Sequence, residues 1–141
     1  MNDEASYINN PPVGPFTLAS PTFDECVGEV NFYYHMYSYY ACVYGDYYQP
    51  GTLQLEGTTD GVSWTAIWTK SGDQGDSWQF AEVVPAASAV GRVRFVGTTG
   101  TLYSSDMAID DVTISIAPTP APSAARGART RDARSEGVDA R

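Results

Sequence analysis

Positive charge is scarce in this sequence. Before Ala117 there are three bases, Lys70, Arg92 and Arg94, against fourteen acids, a net of −11. A domain so acidic repels nucleic acid and anionic membrane and favours cations or basic partners. From Ala117 onward five arginines and three acids give +2, leaving −9 for the whole chain. Histidine occurs once, at His35, too few for a catalytic metal site built on several imidazoles. No G-x-S-x-G is present, so a Ser-His-Asp triad has no nucleophile motif to rest on. No window holds ~18 consecutive apolar residues, so no transmembrane helix is expected. The opening MNDEASYINNPP is polar and acidic and lacks the apolar stretch of a signal peptide. On that reading the chain either avoids the usual secretory route or is a piece of a longer one. Helical periodicity over three turns is also missing.

Cysteine is almost as rare, with Cys26 and Cys42 alone. An even count invites a disulfide, but the reach is poor. A straight run from Cys26 to Tyr37 covers roughly 36 Å, and the five steps back to Cys42 recover at most about 18 Å. A disulfide needs Cα atoms within ~7 Å, so two unpaired thiols are expected.

What the chain does have is aromatic and β-forming residues. Apolar residues make up 43% and aromatics 13%, enough for a core. Short strand-like segments recur between turn signals. VGEVNFYYHMY places Val30, Phe32, Tyr34 and Met36 on one face. GTLQLEG pairs Leu53 with Leu55, and VSWTAIWTK aligns Val62, Trp64, Ala66 and Trp68. SWQFAEVV is the next strand, with Trp78 expected as a core residue or packing lid. GRVRFVGTTG aligns Val93 and Phe95 with Arg92 and Arg94 opposite, and SDMAIDDVTISI closes the set. Weaker strands are expected at FTLASPTF and around Tyr7–Ile8. TTDG, from Thr58 to Gly61, reads as a type I′ hairpin turn. The whole predicts an all-β chain, a sandwich or jelly roll. Residues 1–116 form the domain. Residues 117–141, rich in Pro, Ala and Arg, cannot bury enough apolar surface to fold and are expected to be a disordered tail or linker.

Three features offer chemistry. SGDQGDSW, Ser71 to Trp78, has the residues to turn the chain, hold a cation or grip a phosphate. Turn chemistry fits best, since glycines allow positive φ and aspartates bond nearby amides. Asp106, Asp110 and Asp111 are the second feature. Asp110 falls in phase with Ala108, Val112 and Ile114, and a carboxylate facing a core needs an arginine, backbone amides or a metal. Calcium suits such ligands, although no cofactor is required. The third is the tyrosine-rich insert from Ser38 to Pro50, with Tyr39, Tyr40, Tyr44, Tyr47 and Tyr48. It is long for a strand connection and is expected to be exposed and poorly ordered. Tyrosine gives large contact area at small entropy cost, so a protein partner is preferred over a sugar. Sugar stacking on Trp64, Trp68 and the insert is the alternative. No pair of carboxylates facing across a cleft is visible, so glycosidase chemistry is not supported.

In order along the chain, LASPTF, NFYYHMY, GTLQLEG, W-T-x-x-W-T-K-SGDQGDSW-Q, VRFVGTTG and SDMAIDDVTI resemble the MAM domain of meprins, neuropilins and receptor-type tyrosine phosphatases. The resemblance covers about Tyr7 to Ile116. It implies a jelly-roll β-sandwich in an extracellular setting, serving adhesion or protein interaction, self-association included, rather than catalysis. It also implies strands before Tyr7 that this sequence does not contain, so the domain reads as N-terminally truncated. The family's closing cysteine, the expected partner of Cys26, is replaced by SIAPTP, and the glycine after YHMY by the tyrosine insert.

Overall fold

The computed structural model describes residues 2–4, 14–44, 48–86, 89–100 and 106–117. The expected strand at Tyr7–Ile8, Tyr47, the Cys42 side chain and the tail beyond Ala117 lie outside them. Among the described residues, eight strands and one short helix follow in order: β1 (Asn2–Glu4), β2 (Phe16–Ala19), β3 (Cys26–Tyr37), α1 (Tyr39–Tyr44), β4 (Thr52–Thr58), β5 (Thr65–Ser71), β6 (Gln79–Val83), β7 (Arg92–Thr98) and β8 (Asp106–Ala117). They form two four-stranded antiparallel sheets. Sheet A has the order β1-β8-β3-β6 and sheet B the order β2-β7-β4-β5. The architecture is the all-β, jelly-roll-type sandwich that the strand pattern predicts.

Period-two alternation sets the core. On β3, Val30, Phe32, Tyr34 and Met36 point inward and are buried, in the phase expected. Leu53 and Leu55 of β4 and Val93 and Phe95 of β7 meet them from sheet B. The Phe32 ring packs edge-on against Trp68 at 5.0 Å and against Phe95 at 4.8 Å, joining the two sheets at their centre. β3 is long and extended from Cys26 to Tyr37, and Cys26 is a free thiol.

Three expectations are corrected, each where local geometry interrupts the alternation. On β8, Met107 and Ile109 are buried while Asp110 is exposed. Asp111 has φ 50°, and the pairing with β3 slips between Asn31 and Tyr33, where β8 carries an extra residue. This bulge changes the phase. Ile114, beyond it, packs on the core, whereas Asp110 faces outward with Ala108. No buried charge at Asp110 therefore calls for compensation.

On β5 the pairing moves from Leu55↔Trp68 to Glu56↔Ala66, an extra residue that lets both Ile67 and Trp68 pack on the core. Val62 and Ala66 are exposed, and Trp64 lies before the strand, so these four residues do not share one face.

The Thr58–Gly61 segment is not a two-residue I′ turn. Asp60 Oδ1 accepts hydrogen bonds from the amides of Val62 at 2.8 Å and Ser63 at 2.7 Å, holding a wider loop. Those amides keep the Asp60 carboxyl well below the usual carboxylate range.

The left-handed Asp111 makes a test of the bulge. Asp is among the residues that tolerate this region, whereas a β-branched side chain does not. Asp111→Val is expected to lose about 1–2 kcal/mol in urea unfolding, while Asp111→Gly keeps or exceeds parental stability. A valine variant as stable as the parent would contradict the bulge.

Candidate functional site

Within the tyrosine insert, Tyr39–Tyr44 form α1 where a poorly ordered loop is expected, and the expected exposure holds for Tyr39, Tyr40 and Tyr44. Its start has a capping side chain: Ser38, fully buried, accepts the Ala41 amide on Oγ at 3.3 Å, and its carbonyl accepts the same amide at 3.1 Å. Ala41 is buried and anchors the helix to the sandwich. The tyrosines turn outward. Tyr39 is 63% exposed and Tyr44 64% exposed. Tyr40 stacks on Tyr44 at 6.0 Å and approaches Tyr48 at 5.7 Å, and Tyr39 meets Tyr40 edge-on at 5.4 Å. Tyr39, Tyr40, Tyr44 and Tyr48 thus form one aromatic cluster, flanked by the exposed Val43.

The SGDQG segment is a turn held by its own groups. Gly72 has φ 75° and Gly75 φ 87°. Asp73 Oδ1 accepts the Gly75 amide at 3.1 Å. The Gln74 side-chain amide donates toward the carbonyls of Ser71, Gly72 and Asp73 at 3.1, 3.3 and 3.3 Å, and the Gln74 backbone amide donates to Met36. The carbonyls that would face a cation here are thus engaged by an amide of the loop itself.

A second aromatic surface lies on the outer face of sheet A. Tyr33 and Phe80 sit opposite each other across β3 and β6 with rings 5.2 Å apart. Phe80 is 55% exposed, and Trp78, expected to pack inward or form a lid, is 49% exposed. Trp78 lies 5.5 Å from His35, whose Nε2 is 3.3 Å from Asp76 Oδ1. Tyr33, Trp78, Asp110 and Asp111 line a shallow hollow of about 220 Å³. Sequence reading passed over this face, although the signal was present. In QFAEV, Ala81 and Val83 take the inner phase, which leaves Phe80 with Glu82 outside.

The three candidate calcium ligands do not converge. Asp106 begins β8 opposite Tyr37, several residues from the bulge, and Asp110 Oδ1 accepts the Asp111 amide at 2.8 Å. Among the described residues, no three of His, Cys, Asp and Glu are grouped to hold a metal ion. The alternative sugar platform is also dispersed. Trp68 packs edge-on against Phe32 and Tyr34, and Trp64 is covered by the Arg94 guanidinium at 4.2 Å. Arg94 in turn donates to Glu56 Oε2 at 2.7 Å.

The family description "MAM domain, meprin/A5/mu" matches residues 8–119. This chain belongs to the MAM family. Human MAM domain-containing glycosylphosphatidylinositol anchor protein 1 is 35% identical over 102 residues, which are 72% of this chain and 10% of that protein. Its chicken counterpart is 35% identical over 85 residues, 60% of this chain and 8% of the relative. This MAM domain therefore spans about a tenth of the length of these relatives. Among solved structures, the K2 cleaved adhesin domain of Lys-gingipain aligns with a TM-score of 0.50 at 11% identity, over 71% of this chain and 62% of that one. A carbohydrate-binding module solved with β-1,4-galactotriose aligns at 0.46 and 15% identity, over 72% and 61%. The adhesin domain shares the fold alone, and the score of the second is too low to carry weight.

Proposed function

We propose that this MAM domain is a non-enzymatic, extracellular interaction module that binds a protein partner, or a second copy of itself, through the tyrosine cluster of α1. The observation that supports this is the cluster itself: the rings of Tyr39, Tyr40 and Tyr44, exposed on a helix held by the buried Ser38 and Ala41, joined by the half-buried Tyr48 beyond it. Exposed aromatic clusters on a fixed support are favourable contact surfaces, because little side-chain entropy remains to be lost. The MAM-bearing, lipid-anchored relatives are consistent with a cell-surface setting.

The test is a Tyr39→Ser, Tyr44→Ser double variant. Both residues are exposed, so its melting temperature should stay within a degree or two of the parent. Cell-surface binding and concentration-dependent self-association should fall at least tenfold, as expected when two contact-centre aromatics are removed. A glycan screen run alongside covers the alternative. Glycan binding that survives the double variant, with no protein binding by the parent, would overturn the proposal.

A further inference from the structure

The sandwich is electrically two-sided. The three basic residues that precede the tail all belong to sheet B, with Lys70 on β5 and Arg92 and Arg94 on β7. The strands of sheet A contain no lysine or arginine and carry acids on every strand. On sheet B the chain shows how it holds a guanidinium: Arg94 lies over the Trp64 ring at 4.2 Å while its Nε donates to Glu56 at 2.7 Å. The outer face of sheet A presents the same two partners, an exposed indole and tyrosine ring beside the carboxylates of Asp110 and Asp111. An aromatic face next to a carboxylate recognises arginine by cation–π contact and charge-assisted hydrogen bonds together.

The chain carries its own supply. Arg126, Arg129, Arg131 and Arg134 follow within eighteen residues of Ala117, the last residue of β8. Ala117 lies opposite Cys26 at one end of sheet A, and Asp110 lies opposite Tyr33 nearer its middle. Seven residues of strand separate Ala117 from Asp110, about 23 Å. The nine steps from Ala117 to Arg126 extend to about 30 Å, so Arg126 and every arginine after it can return to the hollow. The way back is acidic, passing Glu29 on β3 and Glu82 opposite Asn31 on β6. The geometry points to the arginine-rich segment 126–134 of the chain's own tail as the occupant of this face, with a guanidinium seated between Trp78, Tyr33 and the Asp110–Asp111 carboxylates.

The experiment uses the full chain and amide and indole resonances. Wild type is compared with a variant in which Arg126, Arg129, Arg131 and Arg134 are all glutamine. The Trp78 indole and the amides of Tyr33, Phe80, Asp110 and Asp111 should differ between the two, while the Trp64 indole and the amide of Arg94 on sheet B should coincide. Raising salt from about 0.05 to about 0.5 M should move the wild-type resonances toward the variant positions, because an exposed ion pair is screened. Lysine at the four positions should keep only part of the effect, since an ammonium lacks the planar fork. Asp110→Asn with Asp111→Asn in the wild-type tail should give the same indole position as the glutamine variant. Identical spectra for wild type and the glutamine variant overturn the proposal, as do differences spread equally over both sheets. If a free arginine peptide moves these resonances while the tail substitutions do not, the face belongs to another chain and the tail assignment fails.

Discussion

Phe32→Ala should leave this domain unfolded or insoluble at room temperature. Phe32 is completely buried and touches both sheets, edge-on to Trp68 and Phe95 and 6.3 Å from Tyr34. Removing a buried phenylalanine costs ~3–5 kcal/mol, through lost transfer energy and the cavity left behind. A domain of this size has about 5–15 kcal/mol in total, and this one exposes two short strands, β1 and β2, at its edges. The control lies one residue away. Tyr33 is on the outer face and 41% exposed. Tyr33→Ala should change the unfolding free energy by no more than about 1 kcal/mol, measured in urea. Comparable losses for the two variants would mean that the phase of β3 is wrong.

Gly51→Ala is expected to be nearly as damaging, for the opposite reason. A methyl group built on Gly51 falls on the backbone of Thr98 and Thr99, with the Thr98 carbonyl oxygen nearest. The obstacle is backbone, not a flexible side chain, so the β4 and β7 ends must part. Their separation would disturb the Thr52↔Thr98 pairing and the Gly72 amide bond to the Gly51 carbonyl. Overpacking of this kind costs about 1–3 kcal/mol, with the upper end expected here. Gly61→Ala is the comparison, since nothing lies within 4 Å of its added carbon, although its φ of 77° carries a conformational penalty. If thermal melts place Gly51→Ala above Gly61→Ala, the close approach at Thr98 is not what the structure indicates.

The sandwich was legible in the sequence wherever alternation runs unbroken. In β3, β4 and β7 the apolar phase names the inward residues directly, because successive side chains must take opposite faces. It failed at two of the three register shifts, those on β8 and β5. Nothing in MAIDDVTI marks Asp111 as the residue that turns left-handed, so Asp110 was assigned to the face of Val112 and Ile114. Nothing in WTAIWTK marks Ile67 as the extra residue beside Trp68. The insert was misread differently. Ser38 followed by Tyr-Tyr-Ala is a weak helix start, and a six-residue helix depends on its buried cap and anchor more than on propensity. The tyrosines of α1 were nevertheless identified from composition. The aromatic face of sheet A was missed because Trp78 was expected as a core residue or packing lid and Phe80 was given no face, when the small Ala81 and Val83 hold the inner phase.

The position of β8 has a consequence in time. Among the described strands it is the last made, yet it lies inside sheet A, between β1 and β3. Among the described residues, the pairing of β4 with β5 is the only one that joins neighbours in sequence. During synthesis the ribosome therefore releases β3 long before its principal partner exists. The emerging chain holds one local hairpin and a set of unsatisfied strands, and loop closure over some eighty residues must precede the β3–β8 ladder. Such a topology folds slowly, and it exposes β3 to wrong partners in the interval before β8 emerges.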